Sequence, residues 1–274
     1  MTAVIAIANH KGGVAKTTTC LSLGGALTEQ GFQVLVVDLD PQAHLTLSLG
    51  FRPEEMRHTV AEVLLEQQSI VAVSRETQVA GLDLVPASGE LVILDKALYG
   101  RPGYEFRLRE ALARMSPLYD FILMDCPPSF GTITLNALTA AHLLVIPVQC
   151  EYYAWHSLRS MLELVTLIRE KTNPILRYRL LVTMFDVRSR VHRLVLEQVH
   201  RVFSSAVFRT IIQVDARIRE SPAHGLPVVY YAPKTRAAMQ YRALAEEVVA
   251  TLSSARPPVA SPPQVHPVEQ PVEA

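Results

Sequence analysis

The sequence predicts an α/β fold: a single domain with a mostly parallel, twisted sheet flanked by helices. Three observations carry that expectation. Short β-branched runs alternate with longer stretches of helical periodicity, the order βαβ units require. Several runs are apolar at every position rather than at every second one, which marks strands covered on both faces. At 274 residues and 49% apolar content, the chain fills one large core and would be cramped as two domains.

Taken in order, strands are expected at 4–8, 34–37, 82–85, 121–124, 143–147, 179–183 and 207–212. Helical periodicity is clearest at 16–30, 105–115, 154–170, 191–203 and 234–251, and no internal repeat is evident. The domain is expected to span 1–252. From Ser253 the composition turns to proline, through Pro257-Pro258, Pro262-Pro263, Pro267 and Pro271. Such a stretch buries too little apolar surface to offset the entropy of ordering it, so 253–274 is expected to be a disordered tail.

Lys+Arg and Asp+Glu balance at 26 each, which excludes a molecule basic all over; any polyanion surface must be local. Cys20, Cys126 and Cys150 are odd in number and lack metal-ligand spacing, as suits packing residues in a reducing cytosol. The N-terminal apolar run stops at Asn9-His10-Lys11 without a basic leader, and no run reaches the roughly 18 apolar residues of a membrane span. A soluble, cytoplasmic protein is expected.

Between the first strand and first helix lies His10-Lys11-Gly12-Gly13-Val14-Ala15-Lys16-Thr17-Thr18. Glycines let backbone wrap phosphates closely, and a helix N-terminus offers unpaired N–H groups to an anion. Lys16 would neutralise β- and γ-phosphates, Thr17 would offer its hydroxyl to Mg²⁺, and Thr18 would donate to the α-phosphate. The strict P-loop pattern fails, because His10 and Ala15 stand at its two glycine positions. The pattern x-K-G-G-x-x-K-[ST] is met in full.

On these residues the chain resembles the ParA/Soj partition ATPases and their relative MinD, P-loop NTPases of the deviant Walker A type. Ala15 departs from the family, which more often has glycine there. The resemblance continues through Asp38-Leu39-Asp40-Pro41-Gln42, through Met124-Asp125-Cys126-Pro127-Pro128-Ser129, and on from about residue 4 to 249. It implies that Asp40 orients or activates the attacking water and joins Thr17 and Asp125 around Mg²⁺, with ATP as the nucleotide. It further implies that Lys11 reaches the partner's nucleotide in an ATP-bound homodimer, so that hydrolysis releases the dimer. Lys11, Lys16 and Asp40 are the catalytic candidates. Nucleotide contacts are expected from Lys11, Gly12, Gly13, Val14, Ala15, Lys16, Thr17 and Thr18, and around the base from Met184, Gln213, Val214 and Asp215. The last three replace the family's usual Pro-Arg-Asn.

Residues 177–219 carry nine arginines against Asp186, Glu197 and Asp215, a local net charge of +6 in a chain that is neutral overall. That segregation suggests a polyanion-facing surface. The resemblance implies nonspecific DNA binding there, with Arg188, Arg190, Arg217 and Arg219 as the candidates, a ParB-like or other cargo adaptor as partner, and a nucleoid-associated location. The alternative is a MinD-like positioning ATPase on a membrane; the proline-rich, acidic C-terminus does not suit the basic amphipathic helix this needs, so no membrane partner is expected. Sequence-specific operator binding is not expected either, since the chain opens on its first strand.

Overall fold

The computed structural model describes residues 2–115, 118–151 and 154–253. In chain order these form β1 (Ala3–Ile7), α1 (Lys16–Glu29), β2 (Val34–Asp38), α2 (His44–Ser48), α3 (Val60–Leu64), α4 (Ile70–Val73), β3 (Arg75–Glu76), β4 (Leu82–Val85), α5 (Leu91–Leu98), α6 (Arg107–Ala113), β5 (Phe121–Asp125), α7 (Thr132–Ala140), β6 (Leu143–Gln149), α8 (Ala154–Lys171), β7 (Arg177–Thr183), α9 (Arg190–Phe203), α10 (Ala216–Glu220), α11 (Val228–Tyr231) and α12 (Arg236–Ser253). The expected tail lies outside the described residues except for Ser253, which ends α12.

One sheet of order β3-β4-β2-β5-β1-β6-β7 holds all seven strands. Every pairing is parallel except that of β3, an antiparallel edge beside β4. Successive side chains of a strand point to opposite faces, and both faces are covered. Ile5, Ile7, Val34 and Val36 pack with α1, α2, α11 and α12 on one side. Val4, Ala6, Leu35 and Val37 pack with α3 to α9 on the other. Gly25 lets α1 press on the start of α11, because a Cβ there would lie 2.5 Å from that of Pro227.

The register positions the site. Ile7 pairs with Asp125, and Asp38 pairs with Asp125, so β1, β5 and β2 end level with one another at the sheet's carboxyl edge. Loops leaving three adjacent strands therefore converge where open α/β sheets bind ligands.

Two expectations need correction. Residues 207–212 form no strand; the segment makes one isolated bridge to β7, Val207 with Leu180, and a second just beyond both, Gln213 with Phe185. The amides of Phe208 and Ile212 bond the carbonyls of Leu180 and Val182, so four residues are spread along two of β7 and the intervening turn bulges away. Arg209 and Thr210 give their amides to the Glu247 carboxylate instead. The helix expected at 105–115 is shorter, a 3₁₀ turn at Tyr104–Phe106 followed by α6.

Candidate active site

β1 gives way at Asn9, whose buried side chain donates to the Pro147 carbonyl at 2.7 Å and accepts from the Lys11 amide at 3.0 Å. The loop is thereby tied to β6 on one flank. On the other, the Thr183 hydroxyl at the end of β7 donates to the Val14 carbonyl at 3.1 Å. Between these anchors the backbone turns left-handed twice, at Gly13 (φ 72°) and at Ala15 (φ 66°). Gly13 adopts that region freely, whereas Ala15 does so against its Cβ.

The loop's two lysines part company. Lys16 is buried, and its Nζ folds back to the Lys11 carbonyl at 3.2 Å, across the concavity the loop encloses. Burial lowers its pKa, opposed by the charges of Asp125 and Asp40. Lys11 turns outward to the end of β6, bonding Gln149 Oε1 at 3.2 Å and pairing with Glu151.

Beside Lys16 stands Asp125, 1% exposed, with neither carboxylate oxygen hydrogen-bonded among the described residues. Burial raises its pKa well above the usual range and the nearby Asp38 adds to this, while the Thr17 hydroxyl, close by but outside hydrogen-bond geometry, and the Lys16 charge pull it down. An orphaned buried carboxylate is costly unless a cation completes it. The donor set fits Mg²⁺: two carboxylates, Asp125 and Asp40, and the Thr17 hydroxyl, leaving room for waters and phosphate rather than forming a closed protein cage.

Asp38 does something else. Its oxygens accept from the Asp40 amide at 3.1 Å, the Thr46 amide at 2.8 Å and the Thr46 hydroxyl at 2.7 Å. It folds the 38–46 loop so that Asp40, itself accepting from the Gln42 amide, faces the P-loop.

These loops enclose a cleft of about 490 Å³, a size that suits a small ligand. Gly12, Gly13, Ala15, Lys16, Thr17, Thr18 and Asp40 line it, and so do Met184, Gln213, Val214 and Asp215 from beyond β7. Val14 is buried beneath the loop and Lys11 lies outside the cleft. Gln42, His44, Ile212, Ile218 and Tyr241 also line it and were not singled out from the sequence. Gln42, within the Asp-Pro-Gln run, was the one with a sequence signal.

The arginines divide. Arg188 is 87% exposed and grips Asp186 with two bonds of 2.9–3.0 Å; Arg190 is exposed at the start of α9. Arg217 is half-exposed on α10 and pairs with Glu220 at 2.6 Å. The segments carrying them are neighbours, since the Phe185 amide bonds the Ile212 carbonyl and the Val214 amide bonds Phe185 in return. Arg219, however, lines the cleft. Much of the remaining charge is structural: Arg177 bonds Thr251, Arg179 bonds Ser205, Arg193 bonds Val187 and Arg209 pairs with Glu247. The three cysteines are buried thiols, and burial raises the pKa of each. No helix among the described residues is long and apolar enough to cross a membrane.

Residues 2–178 match a family described as an AAA domain. The chain is 40% identical to the sporulation initiation inhibitor protein Soj of Bacillus subtilis, over 90% of this chain and 98% of that one. It is 38% identical to the chromosome partitioning protein ParA of Myxococcus xanthus, over 90% and 87%. A crystal structure of cobyrinic acid a,c-diamide synthase from Mycobacterium smegmatis, with bound ADP and magnesium, superimposes with a TM-score of 0.83 at 38% identity, covering 96% of this chain and all of that one.

Proposed function

The chain belongs to the ParA/Soj family of partition ATPases, and from that premise we propose how its residues work as an ATP-timed switch that carries cargo over DNA. It is an Mg-dependent ATPase that acts as a homodimerising switch in partition or positioning. The observation that supports the mechanism best is the parting of the two lysines: Lys16 lies over its own cleft while Lys11 is directed out of it.

Lys16 and the amides of residues 12–18 hold the phosphates of ATP, and Thr17, Asp40 and Asp125 hold Mg²⁺, which neutralises charge developing on the transferred phosphoryl group. Asp40, fixed by the Asp38 network, orients the attacking water. Lys11 leaves Glu151 and reaches the partner's γ-phosphate, adding a cation from outside the subunit, and loss of that phosphate releases the dimer. Arg188, Arg190 and Arg217 contact DNA phosphates without reading sequence. A monomer presents one such patch and the dimer two, so DNA affinity rises with ATP through avidity. A ParB-like adaptor couples cargo to this cycle and stimulates turnover, and the protein resides on the nucleoid.

Lys16→Ala is expected to abolish Mg-ATP binding, and Asp40→Ala to bind without turnover. In gel shifts with random-sequence duplex, the ATP dimer should bind with a log–log salt slope of about −0.9 per phosphate neutralised, and Arg217→Glu should lose that binding while still dimerising. An ATP dimer that ignores DNA but pellets with anionic liposomes would overturn the DNA reading.

A further inference from the structure

We infer that Arg219 is a nucleotide-binding residue, clasping the base end of the bound nucleotide from the wall built after β7. The inference rests on the ATP-site reading above and adds a contact that no motif of the chain predicts.

The direction of the nucleotide follows from the chemistry of the cleft. Its anion-binding and metal-binding groups, Lys16, Thr17 and Asp40, come from the loops after β1 and β2. The wall built after β7 carries the apolar Met184, Ile212, Val214 and Ile218 together with Gln213 and Asp215. Phosphates belong to the first set, so the base lies against the second, where a flat apolar face is worth burying. On that wall Arg219 is the cation.

Arg219 sits on a well-anchored support. The Asp215 carboxylate accepts the Arg217 amide at 3.0 Å and so caps α10. The Val214 carbonyl takes a 3.0 Å bond from Arg236 of α12, and the Ile212 amide is held by Val182 of β7. From this short helix the two arginines take different paths. Arg217 pairs with Glu220, whose carboxylate also accepts from the Tyr231 hydroxyl. Arg219 lines the cleft and makes no hydrogen bond or ion pair among the described residues.

A planar guanidinium with all its donors free is the side chain best suited to stack on an aromatic base while donating to ribose oxygens. Placed at the base end, it serves ATP and ADP alike, unlike Lys11, whose partner is the γ-phosphate. Arg219 therefore holds nucleotide through the hydrolytic cycle, a role other than the DNA contact that the resemblance implies for it.

The test is the affinity of wild type, Arg219→Ala and Arg219→Lys for Mg-ATP and Mg-ADP by titration calorimetry, with the melting temperature of each nucleotide-free protein as a folding control. The expected result is an unchanged melting temperature and a Kd about 10-fold weaker for both nucleotides in Arg219→Ala, about 1.4 kcal/mol, with Arg219→Lys in between. Wild-type affinity for both nucleotides in Arg219→Ala, or weakening of ATP alone, would overturn the inference while leaving the ATPase reading standing. Failure of the wild type itself to bind Mg-ATP would overturn both.

Discussion

Asp38 is a buried carboxylate whose work is to hold a loop, and burial makes its charged form costly. Burial pushes its pKa from the ordinary 3.8 up to about 6, against the pull of the Thr46 hydroxyl and the amides of Thr46 and Asp40. The folded state therefore binds this proton more tightly than the unfolded chain. Its contribution to stability is largest below about pH 4 and is lost as pH rises through about 6. Thr46 carries much of the compensation: its hydroxyl donates to Asp38 and accepts the Ala87 amide at 3.0 Å. Thr46→Val is thus expected to destabilise the nucleotide-free protein by about 2–3 kcal/mol at pH 7.5, and by distinctly less at pH 5, where Asp38 is protonated. Urea unfolding at the two pH values checks this; an equal cost at both would show that the Asp38 charge plays no part. Ala15 is the converse case, a small residue in a conformation that favours glycine. Ala15→Gly should stabilise the fold by about 0.5–1 kcal/mol, read as a higher urea midpoint, and a lower midpoint would mean that the loop does not carry the strain its φ indicates. The sequence pointed to Ala15 as a departure, but that its backbone is left-handed needed the structure.

At the scale of elements, the end of β6 holds the outer lysine of the P-loop. Glu151→Gln keeps the shape of that contact and removes its charge, so Lys11 should leave it more readily. ATP-dependent association followed by stopped-flow light scattering should then be faster than in wild type, and an unchanged or slower rate would argue that the Glu151 contact does not restrain Lys11. Six of the seven expected strands are present with shifts of a residue or two at their ends, because unbroken apolar runs between polar turns have few other readings. The helices covering them were less legible. α7 (Thr132–Ala140) is buried on nearly every side, so it shows no polar face to set a period. α5 (Leu91–Leu98) does the reverse: it exposes Val92 and Ile93 and reads as a plain apolar run. Nor could the sequence show that Asp95 of α5 reaches across to accept the Ile133 amide at the start of α7, an interaction 38 positions apart. The phosphate loop was legible because its spacing is fixed by local geometry. The wall beyond β7 was not, since Arg217 and Arg219 stand two positions apart on one short helix and only the fold shows that Arg219 lines the cleft while Arg217 pairs with Glu220.

For the whole molecule, the account rests on a division of labour between one subunit and two. The cleft gathers groups suited to hold Mg-ATP, yet the loop's first lysine is aimed out of it, and in the proposed mechanism the chemistry is completed only when a second copy closes over the first. A slow ATPase in the monomer, an ATP-dependent dimer and a doubled cationic surface all follow from that one arrangement. The most direct measurement is the solution mass by light scattering, together with phosphate release, for wild type and Lys11→Ala in the presence of Mg-ATP. Wild type should double in mass with ATP and not with ADP, while Lys11→Ala should remain at monomer mass or form a dimer that releases no phosphate above background. Identical dimerisation and turnover in the two proteins would contradict the role of Lys11 across the dimer, and with it the switch.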